Sequence, residues 1–148
     1  MSHRIAVING PNMNLLGIRE PMVYGNETWT EIEAKLNKQS KALGAQLLFF
    51  QSNTEGNIID FIQENLLEID GVVISPAGCT STGFGILDAL ISIQIPFVEV
   101  HLSNIFAREE RHHKSIFSEN AVGFLCGFSS EVYSLGVNAL LSSLKSEE

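Results

Sequence analysis

Five short runs rich in aliphatic, β-branched and aromatic residues, Ile5–Ile8, Gln46–Phe50, Gly71–Ile74, Pro96–Val100 and Ala121–Cys126, are separated for the most part by helical patterns. Before the second run, Thr28-x-x-Glu31 is a capping box, Trp29, Ile32, Leu36 and Leu43 recur at helical spacing, and Gly44 supplies a stop. A second helix is expected from about Gly56 to Ile69, with Ile58, Phe61, Ile62, Asn65 and Leu66 on one face. A third is expected from about Gly83 to Ile93, and a fourth from about Ser130 to Leu144. The strand runs are continuously apolar and do not alternate, which calls for a parallel sheet covered on both faces. A chain of 148 residues, 45% hydrophobic, has enough apolar material for one such core, so residues 1–148 read as a single α/β domain. Open parallel sheets bind ligands beyond the carboxyl ends of their strands. That rule directs attention to the segments after Ile8, Phe50, Ile74 and Val100, where the unusual polar residues lie.

Charge and motifs exclude several classes. A formal net charge of −8 disfavours nucleic acid and anionic membrane as partners, so an anionic ligand must be held by local donors. Neither GxGxxG nor a Walker A sequence occurs, which removes the common phosphate cradles. Cys79 and Cys126 lack CxxC or zinc spacing and are read as small packing residues in a reducing compartment. Met1-Ser2-His3-Arg4 leads directly into a strand-length apolar run without a signal-peptide pattern, and no stretch has membrane-spanning length, so a cytoplasmic protein is expected.

After the first strand, the segment from Asn9 to Gly25 is too long for a plain connector and reads as a lid or binding loop, with Gly17 and Gly25 as candidate hinges. Arg19 and Tyr24 can meet within it. A guanidinium beside a phenol favours phenolate, which would make Tyr24 a base. From the loop alone, an exposed Arg19 and a Tyr24 packed on its apolar face fit equally well. At the fourth strand, period-two alternation puts Glu99 and His101 on the same side, where a carboxylate orients an imidazole for general-acid work. A structural histidine is the usual reading of a lone His, but the position at the ligand-binding edge favours function. The segment Arg108-Glu-Glu-Arg-His-His-Lys114 is read as a charged face with one or two inward-pointing cations. Its two overlapping Glu-x-x-His patterns project in different directions along a helix, which weakens a metal site.

Asn9-Gly-Pro-Asn12, Arg19-Glu-Pro21, Val23-Tyr24-Gly25, Glu99-Val-His101 and Ser103-Asn104 with Ala107-Arg108-Glu109-Glu110 together resemble the type II 3-dehydroquinate dehydratases across essentially the whole chain. The resemblance implies a flavodoxin-like three-layer sandwich with a five-stranded parallel sheet, trimers assembled into a dodecamer, and a lyase of the shikimate pathway that uses no cofactor or metal. It implies that Tyr24 abstracts the proton next to the ketone, with Arg19 and Arg108 keeping it anionic, and that Asn12 stabilises the enolate through a water. His101, oriented by Glu99, would protonate the departing hydroxyl. The Leu102 backbone and the Ser103 amide and hydroxyl would hold the carboxylate, and Asp88 would reach a neighbouring subunit's site.

The resemblance breaks at ring recognition. Ser75 stands where the family has Asn, Ser81 where it has His, His112 where it has an Arg that grips ring hydroxyls, and Leu87 where an Arg precedes the aspartate. Neutral hydrogen bonds contribute about 0.5–1.5 kcal/mol each, and more to charged groups, so losing three would weaken binding by orders of magnitude unless water replaces them. Three readings follow, in order: a 3-dehydroquinate dehydratase, a dehydratase for a related cyclic hydroxyketone acid, and a non-catalytic small-molecule-binding paralogue.

Overall fold

In the computed structural model, which describes residues 2–148, strands β1 (His3–Asn9), β2 (Ala45–Gln51), β3 (Gly71–Ser75), β4 (Phe97–His101) and β5 (Gly123–Cys126) pair in parallel in the order β2-β1-β3-β4-β5. Between them run α1 (Pro21–Tyr24), α2 (Trp29–Ala42), α3 (Glu55–Glu64) and α4 (Phe84–Ser92), and α5 (Glu131–Ser146) ends the chain. The pleat divides each strand between two cores. Ile5 and Val7 of β1 join Ile32 and Leu36 of α2 and Val137 and Leu140 of α5, while Ala6 and Ile8 join Ile58 and Ile62 of α3 and Ile86 and Leu90 of α4. The result is three layers, as a continuously apolar parallel sheet requires. Each fully buried aliphatic side chain contributes about 1.5–3 kcal/mol, so the two cores hold the sheet as a rigid platform.

Local signals account for the helix ends. The Thr28–Glu31 capping box forms in both directions, and Gly44 takes φ +72° just past α2. The second helix is shorter than its periodicity suggests. It stops at Glu64, and turns carry the chain to Ile69, with Leu66 exposed and not buried. Asn65 explains the stop: its side chain caps the Phe61 carbonyl at 2.8 Å, competing with further helix. The outer strands β2 and β5 are only partly buried, because each sheet edge has a neighbour on one side alone. Cys79 is buried as expected, but Cys126 on the β5 edge is half-buried. No described helix is long and apolar enough to cross a membrane.

Two glycines permit close approaches that matter to the ligand-binding edge. A Cβ on Gly136 would lie 3.0 Å from Val100 and 3.3 Å from Val73, so α5 rests directly on the sheet. A Cβ on Gly10 would lie 2.2 Å from the Pro76 carbonyl oxygen, where the loops leaving β1 and β3 touch. Both obstructing atoms at Gly10 within 3 Å are backbone and cannot swing aside. Gly10→Ala is therefore expected to cost about 2 kcal/mol and lower Tm by roughly 4–8 °C, read by calorimetry, with loss of ligand binding as the loops separate. An unchanged melting temperature would contradict this contact.

Candidate active site

The strand order reverses between β1 and β3, and the crevice beyond their carboxyl ends is where such sheets bind ligands. There Gly10 N–H donates to the Ser75 carbonyl at 2.8 Å, closing the loops over the strand ends. Asn12 follows in left-handed conformation (φ +69°), which asparagine tolerates. Its N–H donates to Asn53 Oδ1 at 2.8 Å, so the loop after β2 holds it in place. A cavity of about 330 Å³ opens above, lined by Asn12, Arg19, Tyr24, Ser75, Ser81, His101, Leu102, Ser103, Arg108 and His112 among others. Its size falls at the lower end of small-molecule sites.

Of the alternatives left open for Arg19 and Tyr24, the structure takes the one in which they meet. Tyr24 ends the one-turn helix α1, started by Pro21 at a position where a missing N–H costs nothing. Arg19 Nη2 donates to the Tyr24 hydroxyl at 2.9 Å and its guanidinium lies 4.1 Å from the ring centroid. Arg108, from the loop after β4, donates to the same oxygen at 3.0 Å and to Ser103 Oγ at 3.4 Å. Two guanidinium groups thus converge on one phenol, both donating to its oxygen. The segment between α1 and α2 is anchored at Glu27, which accepts from Ser130 Oγ at 2.5 Å and pairs with Lys35 at 3.1 Å. These bonds, Ser130 foremost, hold the Glu27 carboxyl below the usual carboxylate range.

Tyr133, the other tyrosine of the chain, stands in contrast. It is completely buried beneath the cavity, donates to Asn9 Oδ1 at 2.7 Å, and has its ionisation pushed far above the usual phenol range by that burial. Its hydroxyl serves as a fixed hydrogen-bonding strut, bound to the Asn9 and Ser75 side chains.

At the end of β4, His101 Nε2 lies 2.5 Å from Glu99 Oε2, as the strand period requires. Glu99 is fully buried, and its other oxygen accepts from Ser115 Oγ at 2.9 Å and Ser118 Oγ at 2.6 Å. A buried carboxylate is tolerable only when its lone pairs are filled in this way. Sequence reasoning missed both serines, because nothing local marks them as partners of a residue on another element. Beyond β4, Gly127 N–H donates to the Ser103 carbonyl and Ser129 N–H to the Leu102 carbonyl, each at 3.1 Å, fixing the turn that presents Leu102 and Ser103 to the cavity.

Within the charged segment only Glu110–His112 is helical, as a single 3₁₀ turn and not an α-helix face. The two Glu-x-x-His patterns do not converge: His113 Nε2 meets the Arg108 carbonyl at 2.8 Å, whereas His112 Nε2 faces Glu109 at 3.3 Å. More than one or two cations face inward, since Arg108, Arg111 and Lys114 all line the cavity with His112.

The family described as Dehydroquinase class II matches residues 3–141. This chain belongs to that family. The 3-dehydroquinate dehydratase of Prochlorococcus marinus (strain NATL1A) is 48% identical over 141 residues, covering 95% of this chain and 97% of its own. That of Shewanella oneidensis is 45% identical over 146 residues, covering 99% of each. The crystal structure of type II dehydroquinase from Butyrivibrio crossotus superposes with a TM-score of 0.91 at 40% identity, over 94% of this chain and 97% of that one. Of the positions expected to depart from the family pattern, Ser75, Ser81 and His112 all line the cavity. Leu87 does not: it is buried in the core formed with α3 and α4. Asp88 lies exposed on α4 and does not line this protomer's cavity.

Proposed function

We propose that this class II dehydroquinase dehydrates 3-dehydroquinate to 3-dehydroshikimate through an enolate. The observation that carries the reading is the pair of guanidinium donors at 2.9 and 3.0 Å on the Tyr24 hydroxyl, in a cavity shared with the Glu99–His101 pair. Tyr24, as phenolate, takes the proton next to the ketone, and the C–H electrons move into the enolate. Asn12 stabilises the developing oxyanion through a water. As the enolate collapses, the C–O bond breaks and His101, oriented by Glu99, gives its proton to the departing hydroxyl, releasing water. One proton is taken and one is given, so the cycle closes when the proton on Tyr24 is returned through solvent to His101. The substrate carboxylate is held at Leu102 and Ser103. No step needs a cofactor or a metal.

The test is a direct assay of the purified protein with 3-dehydroquinate, following the rise of enone absorbance. Turnover with kcat/KM near ~10⁵ M⁻¹s⁻¹ would establish an ordinary dehydratase despite Ser75, Ser81 and His112. A far lower value that rises with Ser75→Asn, Ser81→His and His112→Arg together would favour a related cyclic hydroxyketone acid as the true substrate.

The same proposal extends to a trimer-based assembly, a dodecamer in its full form, in which Asp88 serves a neighbouring site. Exposed Phe84 and Ile91 flank Asp88 at helical spacing on α4 and support it as a covered face. Light scattering at micromolar concentration should give a multiple of three protomers, and a monomer would refute the assembly.

A further inference from the structure

The proposed reaction uses Arg108 but leaves most of the segment from Arg108 to Lys114 without a task. The turn Glu110–His112 carries Arg111, and Lys114 follows two residues beyond it. Both line the cavity. The carboxylates of the segment, Glu109 and Glu110, are exposed, and among the described residues no Asp or Glu lines the cavity.

The cations of the cavity fall into two groups. Arg19 and Arg108 are spent on Tyr24. Arg111 and Lys114 pair with no carboxylate among the described residues, and the one side-chain bond of Arg111 runs from Nε to His112 Nε2 at 3.3 Å, leaving both of its terminal nitrogens. His112 adds little charge, because burial, and after it the Arg108 cation, pushes its ionisation below the usual imidazole range. In a chain of net charge −8, carboxylates are plentiful, yet among the described residues none forms an ion pair with either cation, and Glu109, whose charge Arg111 feels, is turned to His112 at 3.3 Å. An anionic ligand group reaching both would gain two charge-assisted hydrogen bonds without displacing an existing ion pair.

We propose that Arg111 and Lys114 form a second anion subsite, so that the cavity accepts ring acids carrying two anionic groups, one at Leu102–Ser103 and the other at Arg111–Lys114. This rests on the reading of the cavity as the site of a carboxylated ring, and it goes beyond the single carboxylate that the dehydration requires. It makes dianionic ring acids the best competitors of this enzyme.

Calorimetric titration with benzoate, isophthalate and terephthalate tests the subsite without depending on turnover. In the unmodified protein at least one dicarboxylate should bind about fivefold or more tightly than benzoate. That advantage should disappear in the R111Q/K114Q double variant, while R111K, which keeps the charge, should preserve it. A dicarboxylate advantage that persists in R111Q/K114Q, no advantage in the unmodified protein, or no binding of any of the three would overturn the proposal. The wild-type enone assay is separate: a protein that prefers dicarboxylates but never produces enone would sink the dehydratase reading and leave the subsite standing.

Discussion

Replacing Tyr24 with phenylalanine is expected to lower kcat by about a thousandfold while leaving the fold unchanged. A positioned general base contributes roughly 10²–10⁴-fold. Tyr24 stands toward the upper part of that range, because the Arg19 and Arg108 guanidinium groups that fix its oxygen converge on it at 2.9 and 3.0 Å. Neither can take over as base, since arginine stays protonated. Tyr133 cannot substitute either: burial pushes its ionisation up, and its proton is committed to Asn9 at 2.7 Å. The phenyl ring keeps the packing and the stacking beneath Arg19, so melting temperature and ligand affinity should change little. Near-normal turnover in Tyr24→Phe would remove this residue from the chemistry.

Glu99→Gln is expected to lower kcat by about a hundredfold, with KM nearly unchanged, and to reduce stability as well. The carboxylate accepts from three partners, His101, Ser115 and Ser118, at 2.5, 2.9 and 2.6 Å. A glutamine keeps one oxygen to accept from both serines, which already share Oε1, but sets an NH₂ that only donates against His101 Nε2. The ring must then give up its Nε2–H donor bond or change tautomer, at a cost of about 1–3 kcal/mol, and His101 loses the charge that orients it. The split separates positioning from plain damage. A general collapse of the site would raise KM along with lowering kcat, whereas loss of an oriented acid should fall on kcat. If Glu99→Gln retained both the melting temperature and full kcat, Glu99 would be neither a structural nor a positioning group.

The readable parts of this chain were those governed by short-range pattern. The capping box at Thr28, the apolar runs of the inner strands and the shared side of Glu99 and His101 all follow from periodicities of a few residues. The meeting of Arg19 with Tyr24 was half legible: loop spacing allowed it, but could not exclude an exposed arginine. What stayed hidden depends on distant segments coming together. Ser115 and Ser118 satisfy a carboxylate on β4 and Asn53 holds the backbone of Asn12, while the reach of Arg108 to a tyrosine 84 positions earlier was legible through the family resemblance alone. The early end of α3 is a smaller case, where the Asn65 side chain overrode an apolar pattern running on to Ile69.

The bond from Tyr133 to Asn9 spans 124 positions, tying the last helix to the end of the first strand under the floor of the cavity. Both groups are shut off from water, so neither can exchange this bond for one to solvent once the fold is closed. During synthesis the first strand leaves the ribosome long before α5 exists. The cavity floor must therefore wait for the carboxyl-terminal helix to dock, and competence of the site is acquired at the end of folding. A nascent chain cut short before Tyr133 would carry every residue assigned to the chemistry and still lack the strut beneath them.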